Sequence, residues 1–281
     1  MGKADARLGR RLLLVAISLA YLCIRDVGRA LSRPSGLCVL REPVVLTFHA
    51  VRASETQAFE QQMRKLKGLA HPVFADEVAP SCGRISVAVS FDDGLRSVFE
   101  NALPIMASLG IPATLFIPTG YLGLAPAWGS FANSFGRHSD SVVSAEVLAQ
   151  VDPQLVRVGS HTVTHRPLAD VERLQCQREM EESKQSLERL LGLPVRMLAF
   201  PFGSFSLDTV KLAHEAGYDM LFANVPLVTR DNPPRLVGRL DVSPLDWALE
   251  FRLKVAGAYR WLAVAVPAKR AFMRAFRSLG V

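Results

Sequence analysis

The sequence has few cysteines. Four occur among 281 residues, and Cys23, Cys38, Cys82 and Cys176 lie far apart, without the paired spacing of a zinc knuckle or the density of a disulfide scaffold. Neither kind of small cross-linked fold is therefore expected. The 49% of hydrophobic residues instead provides enough apolar material for a substantial core.

The sequence also lacks, near its N-terminus, the ~20 consecutive apolar residues that a membrane-spanning helix requires. The apolar run at 12–24 is shorter, and arginines lie on both sides of it. This run is typical of an amphipathic or core helix packed on the domain, or of an uncleaved membrane anchor or interfacial helix. A cleaved signal peptide is a third alternative, although no convincing cleavage site follows the run. We expect residues 1–40 to form a basic, apolar segment with a possible anchor or signal role.

No basic stripe with interleaved aromatic residues occurs, which argues against nucleic acid as a partner. The formal net charge is +7, and the basic excess gathers at the two ends of the chain. A membrane surface is the better expectation. Residues 251–281 predict a basic amphipathic C-terminal helix, either lying on a membrane or covering the main domain.

Between the ends, no internal repeat or low-complexity linker interrupts the chain, and apolar runs alternate with helical patterns. The seven candidate strands are 44–48, 85–91, 113–117, 156–159, 197–200, 220–225 and 235–242, and the helical patterns are 56–69, 97–109, 145–151, 171–191 and 207–216. Gly110 and Gly192 fall where helices should end. This alternation predicts one α/β domain at 41–250 with a parallel sheet, either a closed barrel or an open doubly wound sheet.

Polar residues collect at the predicted carboxyl ends of the strands, where such folds place their ligands. His49 follows the first strand, Asp92 and Asp93 the second, and His161 and His165 the fourth. The two imidazoles of HTVTH would converge if this segment made a turn of helix, and Asp93 would complete a set of three ligands for a divalent metal ion. Zinc is the first candidate, and Co²⁺, Ni²⁺ and Mn²⁺ are compatible with the same ligands.

A bound cation would also offset the repulsion between the adjacent carboxylates of Asp92 and Asp93. Asp92 would then be free to accept a proton from a water whose pKa the metal lowers, and the metal would polarise a substrate carbonyl. The pattern therefore favours a metal-dependent hydrolase.

SFDDG, SHTVTH and AFPFG resemble, in order and spacing, the first three motifs of the polysaccharide deacetylase family, also called the NodB-homology domain or carbohydrate esterase family 4. The resemblance covers roughly residues 43–245. It implies a distorted (β/α) barrel of about seven parallel strands and metal-dependent removal of N-acetyl or O-acetyl groups from sugars. It also implies that Asp92 is the general base and that Asp93, His161 and His165 bind the metal.

In the third motif, the resemblance implies that Pro201 and Phe202 border the sugar, and that the backbone N–H of Phe202 helps to hold the oxyanion. Such a donor contributes about 2.7 to 4 kcal/mol to lowering the barrier. Many family members begin this motif with an arginine that orients the catalytic aspartate, whereas this chain has Ala199. Arg239, on the last predicted strand, could supply the guanidinium from another side, or it could be an ordinary surface or interface residue.

The family's late histidine, which acts as general acid, has no match in this chain. His49 is the better substitute, because an imidazole can donate a proton near pH 7; the alternative is a buried, hydrogen-bonded histidine at a strand end. Asp241 could pair with His49 or with Arg239. We therefore predict active-site roles for His49, Arg239 and Asp241.

The leading hypothesis is a hydrolase that removes acetyl groups from N-acetylhexosamine in an envelope polysaccharide or glycolipid. One alternative is a related amidohydrolase that acts on a formyl group or a small cyclic amide. Another is a non-catalytic glycan-binding or scaffold protein with the same fold. We expect a membrane-associated protein of the bacterial cell envelope, at the inner membrane.

Overall fold

A barrel of parallel strands forms the centre of the molecule. The computed structural model describes residues 3–32, 39–41, 43–77, 79–81, 84–128, 140–224, 234–262 and 265. The strands are β1 (Val39–Arg41), β2 (Val44–Phe48), β3 (Ala70–Val73), β4 (Ala79–Ser81), β5 (Ile85–Phe91), β6 (Ala113–Ile117), β7 (Val156–Ser160), β8 (Met197–Ala199), β9 (Met220–Ala223) and β10 (Arg235–Asp241).

Seven of these strands close into a ring in the order β2-β10-β9-β8-β7-β6-β5, and the ring closes where β2 pairs with β5. Every pairing in the ring is parallel. The predicted distorted barrel is therefore confirmed, and the open sheet is excluded. Strand β3, which pairs in parallel with the first half of β5, and the separate antiparallel pair of β1 and β4 were not predicted from the sequence.

Helices cover the outside of the barrel. They are α1 (Lys3–Ser32), α2 (Thr56–Leu69), α3 (Leu103–Leu109), α4 (Ala145–Leu148), α5 (Arg173–Leu191), α6 (Leu207–Glu215) and α7 (Ala248–Val255), and a π-helical turn at Val98–Ala102 leads into α3. Strands β2 and β6 are buried along their whole length, as expected for parallel strands covered on both faces. Gly110 and Gly192 adopt left-handed backbone conformations at the ends of α3 and α5, as predicted.

Two apolar layers fill the fold. The larger lies between the strands and the helices, and a smaller cluster fills the inside of the barrel. In this inner cluster the rings of Phe116 and Phe222 lie 5.0 Å apart. The guanidinium of Arg239 lies 5.1 Å from the Phe116 ring. The inner cluster therefore forms a rigid apolar floor beneath the polar residues at the carboxyl ends of the strands.

The N-terminal helix α1 packs against α7 and the short 3-10 helix Ala258–Trp261. Arg11 Nε donates to Glu250 Oε2 at 2.6 Å, Arg25 Nη1 donates to the carbonyl of Ala256 at 2.7 Å, and the Trp261 indole donates to Ser18 Oγ at 2.9 Å. Among the described residues, no helix combines the length and apolar character needed to cross a bilayer.

The helix α7 begins at Ala248, before the domain boundary that we expected at residue 250, and it buries Phe251, Leu253 and Val255 in the main core. Residues 252–255 therefore contribute to the covering of the barrel. Residues 266–281, which hold most of the predicted C-terminal helix, lie outside the described residues.

Candidate active site

Two carboxylates lie at the carboxyl end of β5. Asp92 and Asp93 are each only 1% exposed, and the Asp92 N–H donates to the carbonyl of Phe48 at 3.0 Å. Asp93 and Gly94 both have left-handed backbone conformations, with φ of 68° and 57°. A Cβ at Gly94 would lie 2.6 Å from Ile117 Cδ1 and would add strain at this positive φ, so glycine is favoured in this turn. The turn lets two adjacent residues present their carboxylates inside one site.

Asp92 forms a buried, bidentate ion pair with Arg239. Nη1 and Nη2 of the guanidinium donate to Oδ1 and Oδ2 of the carboxylate at 2.6 and 2.7 Å, and Nη2 also donates to Asn224 Oδ1 at 2.9 Å. Burial alone would raise the pKa of Asp92, but the charge and hydrogen bonds of Arg239, together with nearby histidines, lower it to about 2. Arg239 is thus not a surface residue, and Asp92 is held ionised.

Asp93, His161 and His165 form a buried cluster. One ligand atom from each residue can be chosen so that all lie within 4.8 Å of one another. Asp93 Oδ1 lies 3.0 Å from His165 Nε2 and 3.8 Å from His161 Nε2. Donor atoms around a tetrahedral ion with bonds of ~2.0 to 2.2 Å are separated by roughly 3.5 Å. The spacing of the cluster is therefore suitable for one metal ion.

The chemistry of these donors also fits a metal. His161 Nδ1 lies 2.7 Å from the carbonyl of Ala199, and because a carbonyl only accepts, Nδ1 carries the proton and Nε2 keeps its lone pair. Burial lowers the pKa of His161 to about 4, in spite of the opposing charge of Asp92, so its imidazole is neutral. Within the described part of the chain, the buried Asp93 Oδ1 has no hydrogen-bond partner.

The segment between the two histidines is a loop, so their convergence does not come from the turn of helix that the sequence analysis considered. Thr162 and His165 have left-handed backbone conformations, with φ of 67° and 56°. These conformations bring the two imidazole rings within 4.7 Å, centre to centre, in an edge-to-face arrangement. The loop has few backbone hydrogen bonds of its own, so its shape depends on outside contacts.

Glu179 on α5 supplies such contacts. Its buried carboxylate accepts the N–H groups of Val163 and Thr164 at 2.9 and 2.8 Å, and it also accepts the Thr164 hydroxyl. The residue is only 5% exposed. Glu179 was not predicted as a site residue, because a glutamate within a polar helix gives no signal that it faces inward.

Aromatic rings enclose His165. The Trp128 ring stacks on the imidazole at 4.1 Å, and the Phe202 ring meets it edge-on at 4.8 Å. Phe202 has a left-handed backbone conformation and is half exposed, whereas Pro201 is buried. Neither Trp128 nor Asn224 was predicted as a site residue. Trp128 lies outside every predicted element, and Asn224 fell within the predicted strand 220–225, whereas the observed strand β9 ends one residue before it.

The site opens into a cleft of about 500 Å³, a size suitable for a small ligand or a sugar residue. The buried Asp92, Asp93 and the two histidines of the cluster lie at its base, and the half-exposed Phe202 and the exposed Leu245 lie at its rim. His49 Nδ1 lies 3.7 Å from Asp241 Oδ1. Asp241 therefore faces His49, and Arg239 pairs with Asp92. Both side chains of the His49–Asp241 pair are accessible from the cleft.

Known proteins resemble this chain in sequence. Residues 81–221, half of the chain, match the family model for polysaccharide deacetylases. The protein YxkH of Bacillus subtilis is 25% identical over 159 residues, which cover 56% of this chain and 52% of YxkH. A chitin deacetylase of Pestalotiopsis is 22% identical over 151 residues, covering 54% and 45% of the two chains. The chain thus spans about half the length of the curated relatives it matches.

Solved structures share the fold. IcaB from Ammonifex degensii superimposes with a TM-score of 0.61 at 24% identity, covering 78% of this chain and 97% of IcaB. The Streptococcus pyogenes deacetylase PplD, solved in complex with acetate, superimposes with a TM-score of 0.60 at 19% identity. The superposition covers 74% of this chain and 95% of PplD. At these identities the likeness shows the fold alone. On the strength of the family match and the barrel that carries its motifs, the chain belongs to the polysaccharide deacetylase family.

Proposed function

We propose that this protein is a metal-dependent hydrolase that removes acetyl groups from N-acetylhexosamine residues of an envelope polysaccharide or glycolipid. The observation that carries this proposal is the pairing of an ionised, buried Asp92 with an adjacent cluster of three side chains that could hold a metal ion, in one cleft. The family match supports amide hydrolysis as the reaction.

Asp93, His161 and His165 are the residues that would hold the metal ion, and zinc is the first candidate, with Co²⁺, Ni²⁺ and Mn²⁺ as others. When bound, such an ion polarises the acetyl carbonyl and lowers the pKa of water. The hydrogen bond from His161 to Ala199 fixes the ring that would bind it.

Asp92 would accept a proton from the attacking water as the water oxygen bonds to the acetyl carbon. Its low pKa makes it a weak base, but Arg239 keeps both carboxylate oxygens oriented and always ionised. The backbone N–H of Phe202 would donate to the oxyanion. The carbon–nitrogen bond then breaks, and His49, with Asp241 beside it, would donate a proton to the leaving nitrogen, so that acetate and a free amino sugar are released.

The test is acetate release from soluble N-acetylglucosamine oligomers by the full chain, with each divalent metal added in turn to chelator-treated protein. We expect metal-dependent release of one acetate for each amine formed, and loss of release in Asp92→Asn. A protein that releases no acetate with any of these metals would contradict the proposal.

The same assay separates the two alternatives. A deformylase-like amidohydrolase would release formate from an N-formyl sugar and no acetate from its N-acetyl counterpart. A glycan-binding protein would bind the oligomers without turnover, and Asp92→Asn would leave that binding unchanged. Because α1 is basic and apolar, we also propose that the protein is located at the inner membrane of a bacterial envelope.

A further inference from the structure

The helix α1 is apolar on two sides. One side packs on the protein through Leu14, Val15, Ser18 and Leu22. The opposite side is exposed and almost free of polar residues from residue 12 to residue 24. Its exposed large residues include Leu12, Leu13, Ile17, Leu19, Ile24 and Val27, with exposures between 37% and 74%. We call these six side chains the outer face of α1.

An exposed apolar area of this extent is unusual for a protein surface that faces only water. A helix that is apolar all round is normally buried on every side. The helix α7 and the short 3-10 helix Ala258–Trp261 cover only one side of α1, so the outer face requires a further apolar environment.

The N-terminal part of α1 contacts the rim of the catalytic cleft through Arg11, the residue next to Leu12 of the outer face. Arg11 lies at the junction: its Nη2 donates to the carbonyl of Leu245 at 3.1 Å, and its guanidinium lies 4.2 Å from the centre of the Trp247 ring. Leu245 lines the cleft and is 64% exposed, and Leu249 is 49% exposed. Leu8 and Leu12, one turn before Arg11 and directly after it, are also exposed.

The charges next to this surface favour an anionic partner. Arg10 and Arg252 are exposed, the first beside the outer face and the second one turn after Leu249. In the sequence, residues 1–33 contain seven basic and two acidic residues, and residues 252–281 contain seven basic and no acidic residue. Two copies of the chain that met through this face would bring like charges together, whereas a lipid surface with acidic headgroups would neutralise them.

We infer that the outer face of α1, with Leu245, Trp247 and Leu249, is a membrane-docking surface that inserts into the interface of an anionic bilayer. Docking through this surface places the rim of the catalytic cleft at the lipid headgroups. Resting on the proposed deacetylation, this inference assigns the substrate class: an N-acetylated saccharide carried on a lipid, rather than a polymer free in solution.

Flotation with vesicles tests the docking surface. The full chain is mixed with vesicles of equal parts phosphatidylglycerol and phosphatidylcholine, and with vesicles of phosphatidylcholine alone. We expect the full chain to float with the anionic vesicles. The fraction of protein that floats should be at least tenfold lower for the face variant, which is Leu12→Gln/Leu13→Gln/Ile17→Gln/Ile24→Gln. The matched control, Leu174→Gln/Leu193→Gln/Leu207→Gln, changes equally exposed leucines elsewhere and should float like the unmodified chain.

Failure of the full chain to float, or equal flotation of the face variant and the full chain, would overturn the docking surface. Light scattering without vesicles measures whether the chain is a monomer or a dimer. A stable dimer that dissociates in the face variant, with no flotation of either protein, would assign the face to a second copy and would also overturn the inference.

Acetate release distinguishes this inference from the proposed function. We expect the full chain to release acetate from an N-acetylglucosaminyl lipid in anionic vesicles at least tenfold faster than from a soluble oligomer of the same sugar. The face variant should lose this advantage and keep its rate on the soluble oligomer. If the unmodified chain released no acetate from either substrate, the proposed hydrolase activity would be refuted. Equal rates of acetate release from the two substrates would refute only the preference for a lipid-carried saccharide.

Discussion

Arg239 and Asp92 lie 147 positions apart in the chain and meet through two hydrogen bonds of 2.6 and 2.7 Å. The arginine comes from β10, and the position where many family members place their arginine is occupied by Ala199 on β8, whose carbonyl binds His161. The same electrostatic task, holding a buried carboxylate ionised, is therefore performed here from a different strand of the barrel.

Arg239→Lys tests this positioning role. A lysine keeps the positive charge but cannot donate two parallel hydrogen bonds, so we expect kcat to fall while the protein still folds. The pKa of Asp92 should rise above its present value of about 2 because part of the stabilisation of the ionised form is lost. The acidic limb of the pH profile of kcat/KM should then move to higher pH, and a variant with an unmoved profile would contradict the role.

Stability measurements complement that test. Arg239→Met leaves a buried carboxylate without a partner, and breaking such a pair costs ~3 to 5 kcal/mol of unfolding free energy. Combining it with Asp92→Asn removes the orphaned charge and should restore part of this loss. Urea unfolding of both single variants and the double variant measures the coupling, and strictly additive losses would show that the two side chains do not interact.

His49→Ala tests the proton donor. We expect a fall of ~10²- to 10⁴-fold in deacetylation of an N-acetyl sugar, because the amine must leave with a proton. Hydrolysis of 4-nitrophenyl acetate should be far less affected, because nitrophenolate leaves without one. His214→Ala, at an exposed histidine on α6, is the matched control. Equal losses on the amide and the ester would rule out the role of proton donor.

Glu179→Gln tests the support of the loop at 162–165. In this variant the glutamine oxygen can still accept both backbone N–H groups, but the negative charge that strengthens these hydrogen bonds is lost. The amide nitrogen also cannot accept the Thr164 hydroxyl, so the loop between His161 and His165 is held less firmly. We expect metal affinity to fall by ~10- to 100-fold, as for other residues that support metal ligands. Isothermal titration with Zn²⁺ measures it. Glu182→Gln, exposed on the same helix, should bind like the unmodified chain.

The alternation of apolar strands with helices that end at glycines predicted a parallel α/β fold, and the resemblance to the family implied that its sheet closes into a barrel. The sequence also predicted that Asp92, Asp93, His161 and His165 would share one rim, since the carboxyl ends of parallel strands lie together. The short strand β3 was missed because His71 and Pro72 interrupt any apolar pattern, although its pairing with β5 fixes it.

The rest of the site depends on contacts between residues that are distant in sequence. Whether Arg239 was buried or exposed could not be read from its strand, because its partner Asp92 comes from another one. Glu179 resembles the solvated residues around it. The left-handed conformations of Thr162 and His165 occur in a loop that is held by hydrogen bonds with Glu179 and with the N–H groups at 119 and 120, which are distant in sequence. These features can be recognised only when the fold shows which distant residues are in contact.

The most direct test of the account is metal titration of the chelator-treated chain, combined with acetate release. We predict that the unmodified chain and Asp92→Asn each bind one equivalent of Zn²⁺, that Asp93→Asn binds at least tenfold more weakly, and that only the unmodified chain releases acetate at a substantial rate. Unchanged metal affinity in Asp93→Asn, or near-normal acetate release by Asp92→Asn, would contradict the assignment of one carboxylate to the metal and its neighbour to the proton.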